Sequence, residues 1–414
     1  MKILQISPHT TCNDVPLLSQ CKSGFGYMTF DIASALSKEA AVEELLYNYR
    51  YQEFQYGGIL FLENTFKRHL KYVLRCSNPF IPFYLWWKYK MHLRTFVRLV
   101  YVWMISGYFY HVIKEGNYDI VQIHGCTLYD EILMDICRRA NQKFVVTLHG
   151  LNSFSDSVNL EPAGKKYERD FLYRVANGEF PITVISSGMK HLIENKYKGK
   201  KCQNVFVVCN AFNFNDKVGG AILNVREKYG IPPTGRILLY VGNISKNKNQ
   251  EQMIKAFGLL PEVEKLNTYV LFCGRNLTQD YTLDEIVANH PYRNHLVLCG
   301  NVDKQYMDDY YKEADGVVLL SYTEGFGLSL IEAMHFGKPC LTFEDIDAFD
   351  DIYNEKVVVG IQERSDEKVA SGIVELMTTN WDSIFIEEYS KKFSIDRMAS
   401  NYISVFNSVI NNKQ

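Results

Sequence analysis

Two glutamates flank a short glycine turn in the second half of the chain. The stretch SYTEGFGLSLIEAM, from Ser321 to Met334, places Glu324 before the turn and Glu332 within the apolar run that follows it. Glycines let a ligand approach the backbone, and the free N–H groups at the start of a helix attract anions. Glu332 is either an ordinary solvated helix residue or an acceptor for a ligand's hydroxyl groups. The pattern predicts a site for a phosphate-bearing ligand.

The elements that hold this turn follow from the hydrophobic pattern. A strand is predicted over DGVVLLS, ending near Ser321, and a helix over LSLIEAMHF, beginning near Leu328. The same alternation runs along the chain in two series, which begin at KILQIS and RILLYVG and are separated by a looser stretch after Asn210. Such alternation predicts βαβ units with parallel sheets. The expected fold class is α/β with two doubly wound sheets, and the expected site is a cleft outside the carboxyl ends of their strands.

Length, charge and cysteine content narrow the class of protein. A chain of 414 residues is long enough to form two cores. Its 45 basic and 47 acidic residues nearly balance, which argues against nucleic acid as a partner. The ten cysteines include no CxxC pair and are expected to be reduced thiols, which indicates a cytoplasmic protein. The start, MKILQISPH, is typical of a first strand rather than of a signal peptide.

Four motifs together resemble the retaining glycosyltransferases of family 4. EGFGLSLIE is similar to the ExxxxxxxE signature of that family, and YVGNISKNKN (240–249) resembles its strand, glycine turn and phosphate-binding lysine. VVTLHG (145–150) resembles the strand that ends in a substrate-contacting histidine, and SGFGYMTFDIASAL (23–36) resembles the amino-terminal glycine turn and first helix. The resemblance covers most of the chain. It implies the GT-B fold, in which two Rossmann-like domains face a cleft.

The resemblance and the two strand series suggest a division into domains. We expect an acceptor-binding Rossmann-like domain over 1–212, a linker over 213–234 and a nucleotide-sugar-binding Rossmann-like domain over 235–388. A final helix within 389–414 is expected to return to the first domain.

The resemblance also assigns roles to residues. The donor is expected to be a nucleotide sugar with UDP or GDP, and the catalytic residues are His149 and Glu324. Glu332 would accept hydrogen bonds from the ribose, Glu324 would hold the transferred sugar, and Lys248 would meet the diphosphate. A cation stabilises the charge that develops on a departing diphosphate. The remaining expected donor-binding residues are Gly242, Asn243, Gly274, Gly325, Phe326, Gly327 and Leu328, and the expected acceptor-binding residues are Gly24, Gly26 and His124.

Several readings stay open beside these assignments. Asn243 stands where many family members carry arginine, so the cationic clamp rests on Lys248 alone or also uses Lys246. A structural role is the alternative for both His124 and His149. No cofactor and no divalent metal are expected. The sequence Asp345-Ile346-Asp347 has the DxD form of metal-dependent transferases of another fold, but such short acidic matches are common by chance. A lone GxG at 24–26, without the full fingerprint, disfavours a nicotinamide enzyme.

We call residues 64–114 the basic aromatic segment. It contains nine Lys or Arg residues, no Asp or Glu, and fourteen aromatic residues that include three of the four tryptophans. Two basic trios have a spacing of four, and each is expected to line one helix face: the first is Lys67, Lys71 and Arg75, and the second is Lys90, Arg94 and Arg98. An apolar row is expected to line another face and consists of Leu93, Val97, Val100 and Met104. Such helices bind anionic membrane interfaces, and the longest uncharged run, 99–113, is too short to span a bilayer. The alternatives are a basic surface packed over aromatic residues and a face that binds the acceptor.

These observations predict a retaining, metal-independent glycosyltransferase of the hexosyltransferase type. Its acceptor would be a glycan or a lipid-linked molecule in the synthesis of surface polysaccharide or glycolipid. The expected location is the cytoplasm, with a candidate peripheral position on the inner face of the membrane. One alternative is a glycosyltransferase with a soluble acceptor, such as a small sugar or a protein. Another is an inactive binding protein with the same fold, although Glu324, Glu332, Lys248 and His149 are all retained.

Overall fold

The chain divides into two compact units, each built on its own sheet. The computed structural model describes residues 1–154, 161–200, 202–213, 223–276 and 283–411. Unit 1 consists of Met1–Asn210 together with Ile395–Gln414, and unit 2 consists of Ala211–Ser394. Part of the expected linker, 214–222, lies outside the described residues, and the rest of it contains a short helix over Val225–Tyr229.

Unit 1 contains an eight-stranded sheet in the order β3-β4-β2-β1-β5-β6-β7-β8, in which only the β3–β4 pair is antiparallel. The central strands are buried on both faces, as parallel strands covered by helices are, and the polar side chains inside them, Gln5, Gln122 and Thr147, hydrogen-bond to one another. The strands are β1 Lys2–Ser7, β2 Ala41–Leu46, β3 Phe54–Tyr56, β4 Ile59–Phe61, β5 Ile120–His124, β6 Phe144–Leu148, β7 Ile182–Val184 and β8 Val205–Val207. The helices are α1 Gly24–Leu36, α2 Phe66–Tyr72, α3 Phe80–Tyr89, α4 Leu93–Glu115, α5 Asp130–Arg139, α6 Pro162–Ala176 and α7 Ser187–Lys196.

Unit 2 contains a six-stranded parallel sheet in the order β11-β10-β9-β12-β13-β14. The strands are β9 Arg236–Val241, β10 Thr268–Cys273, β11 Leu296–Gly300, β12 Gly316–Leu319, β13 Cys340–Phe343 and β14 Val358–Ile361. The helices are α8 Val225–Tyr229, α9 Gln250–Leu259, α10 Glu262–Asn267, α11 Asp284–Ala288, α12 Lys304–Glu313, α13 Leu328–His335, α14 Phe349–Ile352, α15 Asp366–Thr378 and α16 Ser383–Ser390. The last helix, α17 Ile395–Asn411, packs on α1 and β6 of unit 1. The predicted α/β class with two doubly wound sheets is confirmed.

The basic aromatic segment forms α2, α3 and α4, and here the expected helix faces are partly wrong. Lys90 is not on a helix with Arg94 and Arg98, because α3 ends at Tyr89 and Lys90 adopts a left-handed conformation with φ of 50°. Likewise, α2 ends before Arg75, which lies in a 3-10 turn. A spacing of four residues carries a common face only while one helix continues.

The uncharged run 99–113 is only part of α4, which has 23 residues. By length and composition this helix could cross a membrane, and 44% of its most apolar window is buried inside the unit. A half-buried helix in the core of a soluble unit has the same length and composition, so these two properties do not distinguish a core helix from a membrane-spanning helix.

Candidate functional site

The predicted donor residues gather where the sheet of unit 2 changes direction. From β9 the chain proceeds to β10 and β11 on one side, and then returns to place β12 on the other side. Ligands bind beside such a switch point, at the carboxyl ends of the strands. Gly242 follows β9, and the segment from Ser321 to Leu328 follows β12. The two loops that carry the motifs are therefore neighbours.

The turn after β9 is closely packed against the end of β10. A Cβ on Gly274 would lie 1.9 Å from the carbonyl oxygen of Gly242, so only glycine fits at this position. The carboxamide Nε2 of Gln250 donates to the carbonyl oxygens of Gly242 and Asn243, at 3.4 and 3.1 Å. Gly274 thus has a packing role in the structure, whereas the Asn243 side chain is exposed at the turn.

Lys248 is held by its backbone. It ends the 3-10 turn Lys246–Lys248, which begins after Ser245, whose hydroxyl oxygen accepts from the Lys248 N–H at 3.3 Å. The buried Tyr240 hydroxyl donates to the Lys248 carbonyl and accepts from the Leu320 N–H at 2.8 Å. Tyr240 therefore fixes Lys248 relative to the end of β12.

Asn247 joins the two loops directly. Its carboxamide donates to the Thr323 carbonyl at 3.0 Å and accepts from the Thr323 N–H at 3.2 Å. Its own carbonyl accepts from the Tyr322 N–H at 2.8 Å. The amide side chain pairs with the backbone as a strand neighbour would, and it sets the position of the following Glu324.

Lys248 and Glu324 form an ion pair at this junction. The Lys248 Nζ contacts Glu324 Oε2, and the side chains are 23% and 17% exposed. The Ser321 hydroxyl donates to the same carboxylate oxygen at 3.2 Å. The structure thus brings together the two charged residues expected to contact the diphosphate and the sugar.

The glycine turn leads into α13 through a conformation that favours glycine. Gly327 has a φ of 75° and precedes Leu328, the first residue of the helix. Phe326 is 2% exposed and packs edge-on against Phe393, with ring centroids 5.6 Å apart. Phe326 therefore anchors the turn in the core, whereas Gly325 and Leu328 remain partly accessible.

Glu332 lies on α13 and is partly accessible to solvent. Its Oε2 accepts a hydrogen bond from the Tyr311 hydroxyl of α12 at 2.5 Å. Burial raises the pKa of Glu332, and the bond from Tyr311 opposes that rise. Glu332 is therefore hydrogen-bonded to a buried tyrosine and is not simply a solvated helix residue, and its expected contact with the ribose stays a prediction.

Asp345 and Asp347 have different surroundings: Asp345 is paired with an arginine, and Asp347 is largely buried. Both carboxylate oxygens of Asp345 accept from Arg364, at 2.6 and 2.8 Å, and the Arg364 guanidinium lies 4.1 Å from the Phe343 ring centroid. Burial raises the pKa of Asp347 to about 6, helped by the negative charges of Glu324 and Asp345. Within the described ranges, no group of three or more His, Cys, Asp or Glu residues could hold a metal ion.

In unit 1 the predicted residues lie at the corresponding switch point, between β1 and β5. Ser23 caps α1 by accepting from the Gly26 N–H at 3.0 Å, and its hydroxyl is 2.8 Å from His9 Nε2. A Cβ on Gly26 would lie 2.0 Å from the Thr11 hydroxyl oxygen, whereas a Cβ on Gly24 would meet nothing within 4 Å. Gly26 thus has a packing role, and the Gly24 backbone is open to a ligand.

The two predicted histidines are in contact. His124 Nδ1 and His149 Nε2 are 3.1 Å apart, and Phe25 packs edge-on against His149 with centroids 4.7 Å apart. Burial lowers the pKa of His149 to about 4 and lowers that of His124 as well, so both are neutral at pH 7. His124 is 1% exposed, whereas His149 is half-buried. Only His149 is accessible enough to contact a ligand directly.

Sequence reasoning missed the residues that position these groups. Tyr240, Asn247, Gln250 and Tyr311 hold the lysine, the turn and the second glutamate. Tyr240 and Asn247 stand inside the quoted motif YVGNISKNKN, and Asn247 directly precedes Lys248. An amide immediately before a functional lysine was a usable signal, since Asn side chains often pair with backbone groups at turns.

Comparison with known proteins found a matching family model and several similar glycosyltransferases. Residues 222–393, less than half of the chain, match the family model described as glycosyl transferases group 1. The chain is 25% identical over 190 residues to an uncharacterized glycosyltransferase of Methanocaldococcus jannaschii, across 44% of this chain and 48% of that protein. It is 24% identical over 270 residues to the O-antigen chain mannosyltransferase B of Escherichia coli, across 64% of this chain and 70% of that protein. The chain thus spans about half of the length of the first relative.

Similarity to solved structures extends over the whole chain. The crystal structure of Anabaena HepE in complex with UDP-glucose has a TM-score of 0.63 and 16% sequence identity, over 99% of this chain and 100% of that chain. The fold of the chain is therefore the two-domain GT-B fold of glycosyltransferases.

Proposed function

We propose that this chain is a retaining, metal-independent glycosyltransferase that moves a sugar from a UDP- or GDP-sugar to a glycan or lipid-linked acceptor, in the synthesis of surface polysaccharide or glycolipid. The match of residues 222–393 to a glycosyltransferase family model supports the transferase class. The relative named as an O-antigen mannosyltransferase supports the polysaccharide context, and the solved relative with UDP-glucose supports the type of donor.

The single observation that carries the proposal is the meeting of Lys248 and Glu324 at the switch point of unit 2. A diphosphate needs a cation, and a sugar needs hydrogen-bond acceptors for its hydroxyl groups. These two groups stand side by side on loops joined by Asn247. A carboxylate beside the lysine adds hydrogen-bond acceptors for sugar hydroxyl groups to the cation for the diphosphate.

Transfer requires the bond between the sugar and the diphosphate to break. Negative charge then grows on the leaving phosphate oxygens, and Lys248 stabilises that charge more strongly than it stabilises the intact donor. The bound diphosphate draws Lys248 away from Glu324, which leaves the carboxylate available to the sugar. Glu324 holds the sugar hydroxyls, and Glu332 accepts from the ribose hydroxyls while Tyr311 fixes its carboxylate.

The family resemblance assigns substrate contact to His149 of unit 1. Because burial lowers the pKa of His149 to about 4, its imidazole is neutral at pH 7 and presents no positive charge to a ligand. His124, which is more deeply buried, orients the His149 ring through the contact of 3.1 Å. We therefore assign ligand contact to His149 and positioning to His124.

The first experiment is a panel of nucleotide sugars tested by thermal shift, followed by release of free nucleoside diphosphate. One UDP- or GDP-sugar should stabilise the protein and be turned over slowly in water. Lys248→Met should abolish turnover, whereas the control Lys255→Met, in an ion pair on α9, should not. The anomeric configuration of the product, read by NMR, tests retention. Absence of any shift across the panel would contradict the proposed donor class.

A further inference from the structure

An unusually large share of the exposed apolar surface lies in the basic aromatic segment. Twelve of the twenty large apolar side chains exposed in the described part of the chain fall between residues 66 and 104. The most exposed are Leu74 at 99%, Trp87 at 76%, Phe80 at 75%, Leu93 at 70% and Phe66 at 67%. Isolated exposed apolar residues are ordinary, but a concentration of this size marks an interaction surface.

These side chains belong to one continuous face. On α4, Leu93, Val97 and Met104 are exposed, whereas Leu99, Val102, Ile105, Phe109 and Ile113 are buried against the unit. The exposed row continues onto α3, because Phe96 packs against Trp86 and Phe83 with centroids 4.9 and 5.6 Å away. It also reaches the turn after α2, where Cys76 Sγ lies 3.3 Å from the Met104 carbonyl oxygen. The exposed apolar side chains of α3, of α4 and of the turn after α2 are therefore neighbours on the surface of unit 1.

The segment also carries exposed basic side chains. Lys67, Lys71, Lys90 and Arg94 are exposed, and none of them forms a salt bridge with a described residue. By contrast, Arg68 and Lys88 pair with Glu63 and Asp170, which lie outside the segment. Residues 64–114 contain no Asp or Glu, so the positive charge is not neutralised within the segment.

A hollow at the end of α3 combines both properties. It has a volume of about 690 Å³ and is lined by Trp86, Trp87, Lys88, Lys90, Met91 and Lys166. Its two indole rings provide an apolar wall, and Lys90 and Lys166 provide charge for an anion, whereas Lys88 is paired with Asp170. This combination fits a phosphate group attached to an acyl chain.

We propose that the face formed by α2, α3 and the first half of α4, which we call the docking surface, binds the surface of an anionic phospholipid bilayer. Trp87, Phe80 and Leu74 enter the boundary between headgroups and acyl chains, and Lys67, Lys90 and Arg94 meet the lipid phosphates. The helix α4 lies in the plane of the membrane, since its other side is packed in the core of unit 1. With its nucleotide-sugar substrate in the cytoplasm, the protein would occupy the inner face of the membrane.

Charge complementarity selects this partner over a second copy of the chain. Two copies meeting through this face would bring unpaired lysines and arginines against each other, and like charges in an interface are unfavourable. An anionic bilayer instead supplies phosphate to every basic side chain and hydrocarbon to every ring. The inference is independent of glycosyl transfer, so vesicle binding can succeed or fail without affecting the proposed function.

Co-sedimentation with lipid vesicles tests the proposal directly. The full chain should bind vesicles that contain phosphatidylglycerol, bind less as salt rises, and not bind vesicles of pure phosphatidylcholine, because charge attraction is screened over about 8 Å at physiological salt. The blue shift of tryptophan fluorescence on binding should disappear in a Trp86→Phe, Trp87→Phe variant. Failure to bind anionic vesicles at low salt, or equal binding to neutral ones, would overturn the proposal.

Matched variants distinguish binding through the docking surface from nonspecific electrostatic binding by other lysines of unit 1. Lys67, Lys90 and Arg94 changed together to Gln should lower partitioning by about a hundredfold, since each surface charge is worth about 1 kcal/mol. The control changes the exposed Lys196, Lys198 and Lys200 of unit 1 to Gln and should leave binding unchanged.

The apolar contribution has its own pair of variants. Phe80→Ser with Trp87→Ser should lower vesicle binding by at least about tenfold, because each buried ring contributes more than about 1 kcal/mol. Val263→Ser with Leu266→Ser removes comparably exposed apolar side chains from unit 2 and should have no effect. If Phe80→Ser with Trp87→Ser instead abolished a concentration-dependent dimer and left vesicle binding intact, the surface would be a self-association interface and the proposal would be wrong.

Discussion

Replacing Lys248 and Glu324 separately should change the affinity for a free nucleoside diphosphate in opposite directions. In the described structure the two side chains are paired and only 23% and 17% exposed. A diphosphate must draw Lys248 away from Glu324, so the carboxylate competes with the ligand. In the intact donor, the hydroxyl groups of the sugar donate hydrogen bonds to the Glu324 carboxylate and so take the place of Lys248 as its partners.

The size of each effect follows from burial. Truncating the cationic partner of a largely buried, charge-assisted contact costs about 2 kcal/mol at the low end, so Lys248→Met should weaken diphosphate binding by about thirtyfold. A partly screened ion pair is worth about 1 kcal/mol, so Glu324→Gln should strengthen the same binding by about fivefold. Turnover of the donor should fall in both variants.

Titration calorimetry with UDP and GDP measures these affinities, and calorimetric melting checks that each variant is folded. The controls are Lys255→Met and Glu251→Gln, from a similar ion pair on α9 with a separation of 2.7 Å, and they should leave the affinity unchanged. The reasoning is refuted if Glu324→Gln weakens diphosphate binding as much as Lys248→Met. In that case the carboxylate would serve to orient the lysine for phosphate.

Three further predictions concern individual residues. Glu332→Gln should raise the dissociation constant of the donor with a melting temperature within a few degrees of the parent, because the amide oxygen still accepts from Tyr311; Glu332→Leu should lower the unfolding free energy by about 1–3 kcal/mol, as chemical denaturation would show. Gly26→Ala should destabilise the protein by about 1–3 kcal/mol in the same assay because its Cβ would lie 2.0 Å from a hydroxyl oxygen, whereas Gly24→Ala should melt like the parent. Since the pKa of His149 is lowered to about 4 in the fold from an ordinary 6.5, unfolding free energy should decrease as pH falls from 6.5 towards 4, and His149→Gln should reduce that decrease; an unchanged pH dependence would contradict the buried neutral imidazole.

Local patterns were sufficient to predict the elements around the site. The strand before Ser321 and the helix that begins at Leu328 were predicted from alternating apolar runs and glycines, and the structure has both. The fold class followed from the same patterns, because parallel strands buried on both faces leave continuous apolar runs. The helix start at Leu328 was accurate because glycine at 327 permits the left-handed turn that directly precedes the helix.

Contacts between distant residues were not predictable from these patterns. Asn247 and Thr323 pair across 76 positions, and nothing in either segment identifies its partner. The buried Tyr311 contact of Glu332 likewise depends on how α12 packs against α13. The second basic trio was misread because a left-handed lysine at position 90 interrupts the helix without a proline or glycine to mark the break.

The return of α17 to unit 1 has a consequence for the order in which the protein is made. Tyr402 and Phe406 of this helix are fully buried, so part of the core of unit 1 is supplied by residues that follow all of unit 2. At about 5–20 residues per second, a ribosome needs on the order of ten seconds or more to make the intervening unit. During that time the face of α1 and β6 that α17 covers stays open on the nascent chain, while unit 2, being contiguous, can complete its own core first. Unit 1 therefore completes its core only after all of unit 2 has been made.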